Sequence, residues 1–133
     1  MNLSHKADYA LRAVCNLSKL PKGKRSSIRL ISQEASIPRE FLAKVLKDLA
    51  ASGILVSAKG VQGGFCLKRP AHKISYLDVI EAMNGPLHLS LCTESGECSC
   101  YSVDDHCYMH QFWVAQEKVF RNALSKRHFG IKR

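Results

Sequence analysis

The order of short apolar patterns between residues 26 and 70 constrains the fold of this chain more than any other feature of its 133 residues. Helical patterns over 26–35 and 38–52 are separated by a tight turn at 36–37. Two strand-like segments then flank the glycine-rich run 59–64. Two short helices joined by such a turn form a helix-turn-helix, and a hairpin that follows directly is a wing. The sequence therefore predicts a winged helix-turn-helix unit.

The second helix of this pair has an apolar side and a polar side. Pro38 suits its first position and Gly53 suits its end. We expect the apolar side to be buried, and it consists of Phe41, Leu42, Val45, Leu46 and Leu49. The exposed side would present Arg39, Glu40, Ala43, Lys44 and Lys47.

Helices are also predicted at both ends of the chain. An amphipathic pattern over 3–19 predicts a first helix, and Cys15 borders its apolar face and is expected to be buried. A capping box at 75–78 predicts a helix to Asn84. A final helix over 107–126 carries an apolar stripe that needs a partner face, and the tail after Arg127 is expected to be mobile. The stripe consists of Met109, Phe112, Trp113, Gln116, Phe120, Ala123 and Leu124.

The predicted fold class is mainly α with a small β-hairpin wing, followed by a long C-terminal dimerisation helix. Three regions follow from this order of elements. They are a winged helix-turn-helix DNA-binding domain at 1–86, a cysteine-rich loop at 87–107, and a dimerisation helix with a basic tail at 108–133.

Charge is distributed unevenly along the chain, which carries a net +9. Residues 1–75 hold fourteen Lys and Arg against four Asp and Glu, whereas residues 76–110 hold six acids and no Lys or Arg. A basic unit beside an acidic loop indicates that one part meets a polyanion, and nucleic acid fits best. No run approaches the ~18 apolar residues of a membrane span. The N-terminus lacks the apolar region of a signal peptide, so we expect a cytoplasmic protein.

A helix-turn-helix reads base edges with the first turns of its second helix, and a wing reaches the neighbouring phosphates. We therefore expect contacts with double-stranded DNA from Ser27, Arg39, Glu40, Ala43, Lys44, Lys47, Lys59, Gln62, Gly63 and Lys68. The glycine-rich run is no nucleotide-binding loop, because it lies between two strands and lacks a Gly-Lys-Ser/Thr ending. No paired carboxylates or Ser/His/Asp set indicates an enzyme.

Four of the six cysteines fall in one short stretch. They are Cys92, Cys98, Cys100 and Cys107, with His110 three residues further on. Clustered thiolates are the ligands of metal and iron–sulfur centres, and the turn-forming and acidic residues between them predict a loop. The same residues would also suit a structural zinc site or a thiol redox switch.

Three segments of the sequence resemble one family of regulators. They are KGVQGGFCLKRPA at 59–71, DVIEAMNG at 78–85 and DYALR at 8–12. Together with the order of elements, they are similar to the Rrf-type winged-helix regulators, over nearly the whole chain. The resemblance implies a homodimeric DNA-binding repressor or activator. Two recognition helices in a symmetric dimer would suit an inverted-repeat site. Members of the family commonly hold an iron–sulfur cluster with three cysteines and one other ligand, and some are controlled by a protein partner instead.

The resemblance carries over to particular ligands. It implies Cys92, Cys98 and Cys107 as thiolates, and His110 as the fourth ligand, by likeness to a C-x2-H-x2-W passage ending at Trp113. The gap before Cys107 is longer than usual, which leaves Cys100 open as the third thiolate. Asp8 and Cys100 are the alternatives for the fourth ligand, and Asp8 can also pair with the arginine four residues on. Histidine ligation favours a 2Fe–2S cluster, and Asp8 would favour 4Fe–4S.

Overall fold

The computed structural model describes residues 2–96 and 107–130, and within them it has the elements that the sequence predicts, with two short additions, a 3-10 turn and α5. The elements in chain order are α1 (His5–Ser18), α2 (Ile28–Ala35), α3 (Arg39–Ala51), β1 (Leu55–Ala58), β2 (Gly64–Leu67), a 3-10 turn (Ala71–Lys73), α4 (Tyr76–Asn84), α5 (Leu91–Ser95) and α6 (Tyr108–Lys126). The mainly α class with a small hairpin is confirmed. No helix among the described residues is both long and apolar enough to cross a membrane.

Short polar side chains set where the helices begin. The Ala7 N–H donates to the Ser4 hydroxyl at 3.1 Å. The Leu30 N–H donates in the same way to Ser27 at 3.2 Å, and Ser75 forms the predicted capping box with Asp78. Each hydroxyl satisfies an N–H that has no partner within its helix, so these residues fix the first turn of α1, α2 and α4.

The helix-turn-helix turn depends on one left-handed residue. Ser36 has a φ of 55°, and the Ile37 N–H then donates to the Ser32 carbonyl at 3.1 Å. This bend places Ile37 in the core and starts α3 directly after Pro38, which lies at the N-cap. The chain thus reverses between α2 and α3 within three residues.

The core lies where α1 packs against α2, α3 and α4. Small alanines on α1 let the neighbouring helices approach closely, while branched residues from the other elements fill the remaining space. The buried apolar residues include Ala7, Ala10, Ala13, Val14, Ile31, Leu42, Leu46, Leu49, Ile74 and Val79.

The hairpin is attached to the start of α2. β1 and β2 are antiparallel, with Leu55 opposite Leu67 and Ala58 opposite Gly64. Ser26 adds a third short rung, since its N–H donates to the Phe65 carbonyl at 3.0 Å and the Phe65 N–H donates back at 2.8 Å. The wing is therefore fixed to the helix-turn-helix through the backbone.

The end of the chain corrects one expectation. The sequence predicts a mobile tail after Arg127, but residues 127–129 run back along 74–76. The Phe129 N–H donates to the Ile74 carbonyl at 3.2 Å, and its ring lies 4.7 Å from Tyr76. Phe129 is only 4% exposed, because its ring completes the core beside α1. This contact anchors the far end of α6 to the winged-helix unit.

Three smaller expectations were also wrong. Cys15 is exposed rather than buried, since α1 turns it away from the core. Phe41 is 51% exposed and packs edge-on against Tyr9 at the surface. The cysteine-rich stretch is not loop throughout, because the single turn α5 carries Cys92.

Candidate nucleic-acid interface and cysteine site

One face of α3 presents the predicted base-reading residues to solvent. Leu42, Val45 and Leu49 fix the opposite face in the core. All five predicted residues of the outer face are exposed, namely Arg39, Glu40, Ala43, Lys44 and Lys47. A helix held on one side by the core and basic on the other can enter a groove of DNA without rearranging.

Asp48 lies on the same helix but does not cancel its positive charge. The Lys6 ammonium lies 2.8 Å from its carboxylate. This hydrogen bond lowers the pKa of Asp48, and the positive charges of Lys6, Lys44 and Lys47 lower it further. The carboxylate stays ionised and forms its ion pair with Lys6, while the Lys44 and Lys47 side chains are exposed to solvent.

The wing and the start of α2 enclose a basic cleft of about 830 Å³. It brings together four predicted DNA-contacting residues, Ser27, Lys59, Gln62 and Gly63. Lys68 is exposed beyond the end of β2, and the α3 residues share their own face and do not line the cleft. Sequence reasoning missed Lys24 and Arg25 as site residues, although both line this cleft and belong to the basic N-terminal unit.

Gly63 is a glycine for steric reasons. A Cβ added there would lie 2.3 Å from the Ala58 carbonyl oxygen, inside the turn itself. The tight turn keeps Lys59 and Gln62 at the exposed tip of the wing, where side chains can reach phosphates.

The described part of the cysteine site has two halves. Cys92 lies on α5, with its Sγ 3.0 Å from the Ser90 hydroxyl. Cys107 is the N-cap of α6, and the His110 N–H lies 3.4 Å from its Sγ. Cys98 and Cys100 lie outside the described residues. Cys107 and His110 are thus within one helical turn of each other, as the spacing predicted.

His110 has a buried ring nitrogen. Its Nδ1 is buried and has no hydrogen-bond partner among the described residues. A buried imidazole nitrogen is costly to leave unsatisfied, so this atom suits a bond to a metal. Thiolate and imidazole donors fit iron–sulfur and zinc alike. Within 2–96 and 107–130, however, no three His, Cys, Asp or Glu side chains are grouped closely enough to bind a metal ion.

Asp8 lies on α1 in an ion pair. Its carboxylate is 2.8 Å from the Arg12 guanidinium, four residues on, and Arg12 also lies 5.7 Å from the centre of the Tyr9 ring. Among the described residues, Asp8 does not form a group of three with the cysteines and His110. The pairing with Arg12 that the spacing allowed is therefore present.

Two carboxylates beside the cysteine site were missed by sequence reasoning. Glu81 of α4 accepts from the Leu87 N–H at 2.8 Å and from Arg121 of α6 at 2.6 Å. Glu117 of α6 is 8% exposed, with its Oε1 2.8 Å from the His88 Nδ1. The one sequence feature that could have drawn attention to Glu117 is that it is the only acidic residue between positions 111 and 133.

The pKa of Glu117 reflects this environment. Burial raises the pKa, but hydrogen bonds from Thr93 and His88, the charge of His88 and the Leu89 backbone together outweigh it, so the pKa of Glu117 is lowered. Glu117 is therefore a buried, ionised carboxylate at neutral pH. A buried charge of this kind is kept only where surrounding groups hold it in place.

Comparison with known proteins gives consistent results. The family model Rrf2, described as iron-dependent transcriptional regulator, matches residues 3–130. A protein of Aquifex aeolicus (strain VF5), assigned to the HTH-type transcriptional regulators, is 33% identical over 114 residues, which is 85% of this chain and 78% of the relative.

Solved structures share the fold. CymR (YrzC), the global cysteine regulator of B. subtilis, superposes with a TM-score of 0.80 at 20% identity, covering 96% of this chain and 92% of its own. The T. potens IscR structure superposes with a TM-score of 0.77 at 20% identity, covering 96% of this chain and 82% of its own. The oxidized form of S. aureus CymR superposes with a TM-score of 0.75 at 25% identity, covering 96% of this chain and 92% of its own.

Proposed function

Because the chain belongs to the Rrf2 family of transcriptional regulators, we propose that it is a homodimeric repressor that senses iron–sulfur, redox or nitric-oxide status through a cysteine-ligated iron–sulfur cluster. The family relationship makes the chain a DNA-binding transcriptional regulator and not an enzyme. The dimer, the operator and the cluster are parts of the proposal. We place this activity in the cytoplasm, where such a regulator meets DNA.

DNA reading is assigned to α3 and the wing. The exposed side of α3 would enter the major groove, with Lys44 at base edges, while Lys59 and Lys68 would meet phosphates. The basic cleft between the wing and α2 supports this assignment, because it continues the positive surface from the wing to the helix-turn-helix.

Dimerisation is assigned to α6. One side of α6 packs against α4, which leaves a second, apolar side uncovered in the single chain. Tyr108, Met109, Phe112 and Val119 are each more than half exposed. A second copy would cover this side and place two α3 helices about one DNA turn apart, which suits an inverted-repeat operator. These roles correspond to the three proposed regions. They are the DNA-binding domain at 1–86, the cysteine-rich loop at 87–107, and the dimerisation helix with its basic tail at 108–133.

The proposed cluster ligands are Cys92, Cys98, Cys107 and His110. The observation that carries this assignment is the buried Nδ1 of His110, one turn from Cys107. When bound, the cluster would supply iron and sulfide that react with oxidants or nitric oxide. Histidine ligation favours 2Fe–2S, while Cys100 as third thiolate and Asp8 as fourth ligand remain the alternatives, the latter with 4Fe–4S.

Substitution of single residues tests the ligand set. After anaerobic reconstitution with iron and sulfide, Cys92→Ala, Cys98→Ala and Cys107→Ala should each lose the visible absorption of the wild type. Cys15→Ala and Cys66→Ala are the matched controls and should retain it. Retention of colour in Cys107→Ala with loss in Cys100→Ala would move the third thiolate. His110→Ala should alter the spectrum and Asp8→Ala should not; the reverse result would move the fourth ligand to α1.

A second candidate is a winged-helix regulator without a cluster, controlled by thiol oxidation, zinc or a protein partner. The similarity to the oxidized form of CymR favours it. Iron–sulfur protein is brown, whereas each of these alternatives is colourless, so a spectrum separates the two candidates.

A further inference from the structure

Carboxylates hold the segment that leads into α5 from two sides. On one side, Glu81 of α4 accepts from the Leu87 N–H and from Arg121 of α6. On the other side, Glu117 of α6 lies 2.8 Å from the His88 ring. These contacts join the last helix of the winged-helix unit, the start of the cysteine-rich stretch and the proposed dimer helix at one junction.

Glu117 is the unusual member of this junction. Its side chain is only 8% exposed. It is the only acidic residue in the sequence of α6, and the opposite side of this helix is apolar. Burying a carboxylate is unfavourable unless hydrogen bonds and an opposite charge compensate it, and here the compensation comes from the segment that precedes Cys92 and from α5 itself. Glu117 thus ties α6 to the element that carries Cys92.

The link from Glu117 to Cys92 passes through the N-cap of α5. Thr93 and Ser90 cap this helix, with the Thr93 hydroxyl donating to the Ser90 carbonyl at 2.9 Å. Ser90 Oγ is also 3.0 Å from the Cys92 Sγ. Cys92 thus contacts the cap of α5, and Thr93 of that cap lines the same cavity as Glu117.

Thr93 joins the cap of α5 to the cavity that Glu117 lines. Its hydroxyl has a single proton, which is donated to the Ser90 carbonyl, and the Glu117 carboxylate is the other acceptor on that cavity to which this proton could turn. Glu117, Thr93 and His110 line one cavity of about 420 Å³, and Glu117 and His110 each have a buried side-chain atom without a hydrogen-bond partner among the described residues. Glu117 therefore shares this cavity with the neighbour of Cys92 on α5 and with His110 of α6.

We propose that Glu117 is the positioning residue that transmits the chemical state of Cys92 to α6, and thereby to the spacing of the two α3 helices. The inference rests on the proposed function, in which the cysteine site controls DNA binding. Coupling between two sites needs an element with two arrangements that both sites bias, and the junction of Thr93 with Glu117 supplies one. Loss of this junction should uncouple the cysteine site from the DNA-binding surface, while both the cysteine ligands and the DNA-contacting residues stay in place.

The test compares DNA affinity in two states of the full-length protein. The states are reduced, metal-free protein and protein reconstituted anaerobically with iron and sulfide. The probe is a duplex enriched from random sequence by the wild type. We expect the two dissociation constants of the wild type to differ by at least about fivefold. In Glu117→Gln the ratio should fall to within about twofold of one, while the visible absorption and the dimer mass stay those of the wild type.

Two further variants sharpen the test. Thr93→Val removes the same link from the α5 side without touching a buried charge, and it should reduce the ratio equally, with no further loss in the double variant. Glu34→Gln removes an exposed carboxylate of α2 and should keep the wild-type ratio.

Each other outcome contradicts a stated claim. A wild-type ratio retained in both Glu117→Gln and Thr93→Val would overturn the positioning role and leave the proposed function intact. Loss of the absorption or of the dimer in these variants would show a structural role and would also overturn it. A wild-type affinity that is equal in the two states would overturn the proposed function and this inference together.

Discussion

At the residue scale, the wing turn depends on Gly63. A Cβ at this position would lie 2.3 Å from the Ala58 carbonyl oxygen, so the turn must open to accept alanine. We predict that Gly63→Ala lowers the free energy of unfolding by about 2–4 kcal/mol. Gly53 is the control: it has a φ of 83° but open space around its Cβ position, so Gly53→Ala should cost only about 1–2 kcal/mol of backbone strain. Urea denaturation measures both, and equal costs would contradict the steric explanation.

Glu117 should make stability depend on pH in a defined window. Its pKa is lowered in the folded chain, so its stabilisation is fully present above the ordinary value of 4.5 and is lost as the pH falls through the lowered value. The Tm of the wild type should therefore exceed that of Glu117→Gln at neutral pH, and the difference should shrink below about pH 4.5. Thermal denaturation across this range tests it. A difference that grew on acidification would show that the carboxylate destabilises the fold.

Residue-level burial was predictable where one helix decides it. The alternating sides of α3 were evident from spacing, and Leu42 and Lys44 lie as expected. Burial was mispredicted or missed where distant segments decide it. Phe41 meets Tyr9 at the surface, and Glu117 is held by residues more than twenty positions away, which no local pattern records.

At the element scale, α3 and the wing should supply separate phosphate and base contacts. Each neutralised phosphate contributes about −0.9 to the log–log slope of affinity against salt. Lys59→Ala should weaken binding to all duplexes alike and reduce the steepness of that slope by about one. Lys44→Ala should in addition reduce the preference for the enriched duplex, by about 1–3 kcal/mol.

The control for these changes is Lys19→Ala, because Lys19 is exposed at the end of α1, away from the wing cleft. It should leave both affinity and slope close to the wild type. Fluorescence anisotropy over a salt series, with the enriched duplex and a random duplex, measures the affinity, the salt slope and the duplex preference of each variant. A wild-type slope near zero would contradict the proposed phosphate contacts.

Element positions were predictable where a cap or a turn residue marks them. The capping box at Ser75 and the turn at Ser36 placed α4 and α3 within a residue or two. The short helix α5 and the return of the tail were not predictable, since α5 is a single turn and the tail is held by Phe129 in a core built from other elements.

At the scale of the whole molecule, the uncovered side of α6 predicts a symmetric dimer. Burying a large apolar side chain contributes roughly 1.5–3 kcal/mol, and each copy offers several. Light scattering at micromolar concentration should give twice the 14.8 kDa chain mass. The double change Phe112→Asp, Val119→Asp should give the monomer mass with unchanged helical content, because both side chains are exposed in the single chain. A wild-type monomer would contradict the proposed dimer.

The central claim is that this DNA-binding regulator carries an iron–sulfur cluster on its cysteine site. The most direct measurement is the absorption spectrum of anaerobically purified protein, with iron and acid-labile sulfide determined on the same sample. We predict a brown protein with visible absorption and, for a 2Fe–2S centre, about two iron and two sulfide per chain. A colourless protein that contains no iron, and gains none on anaerobic reconstitution, would contradict it.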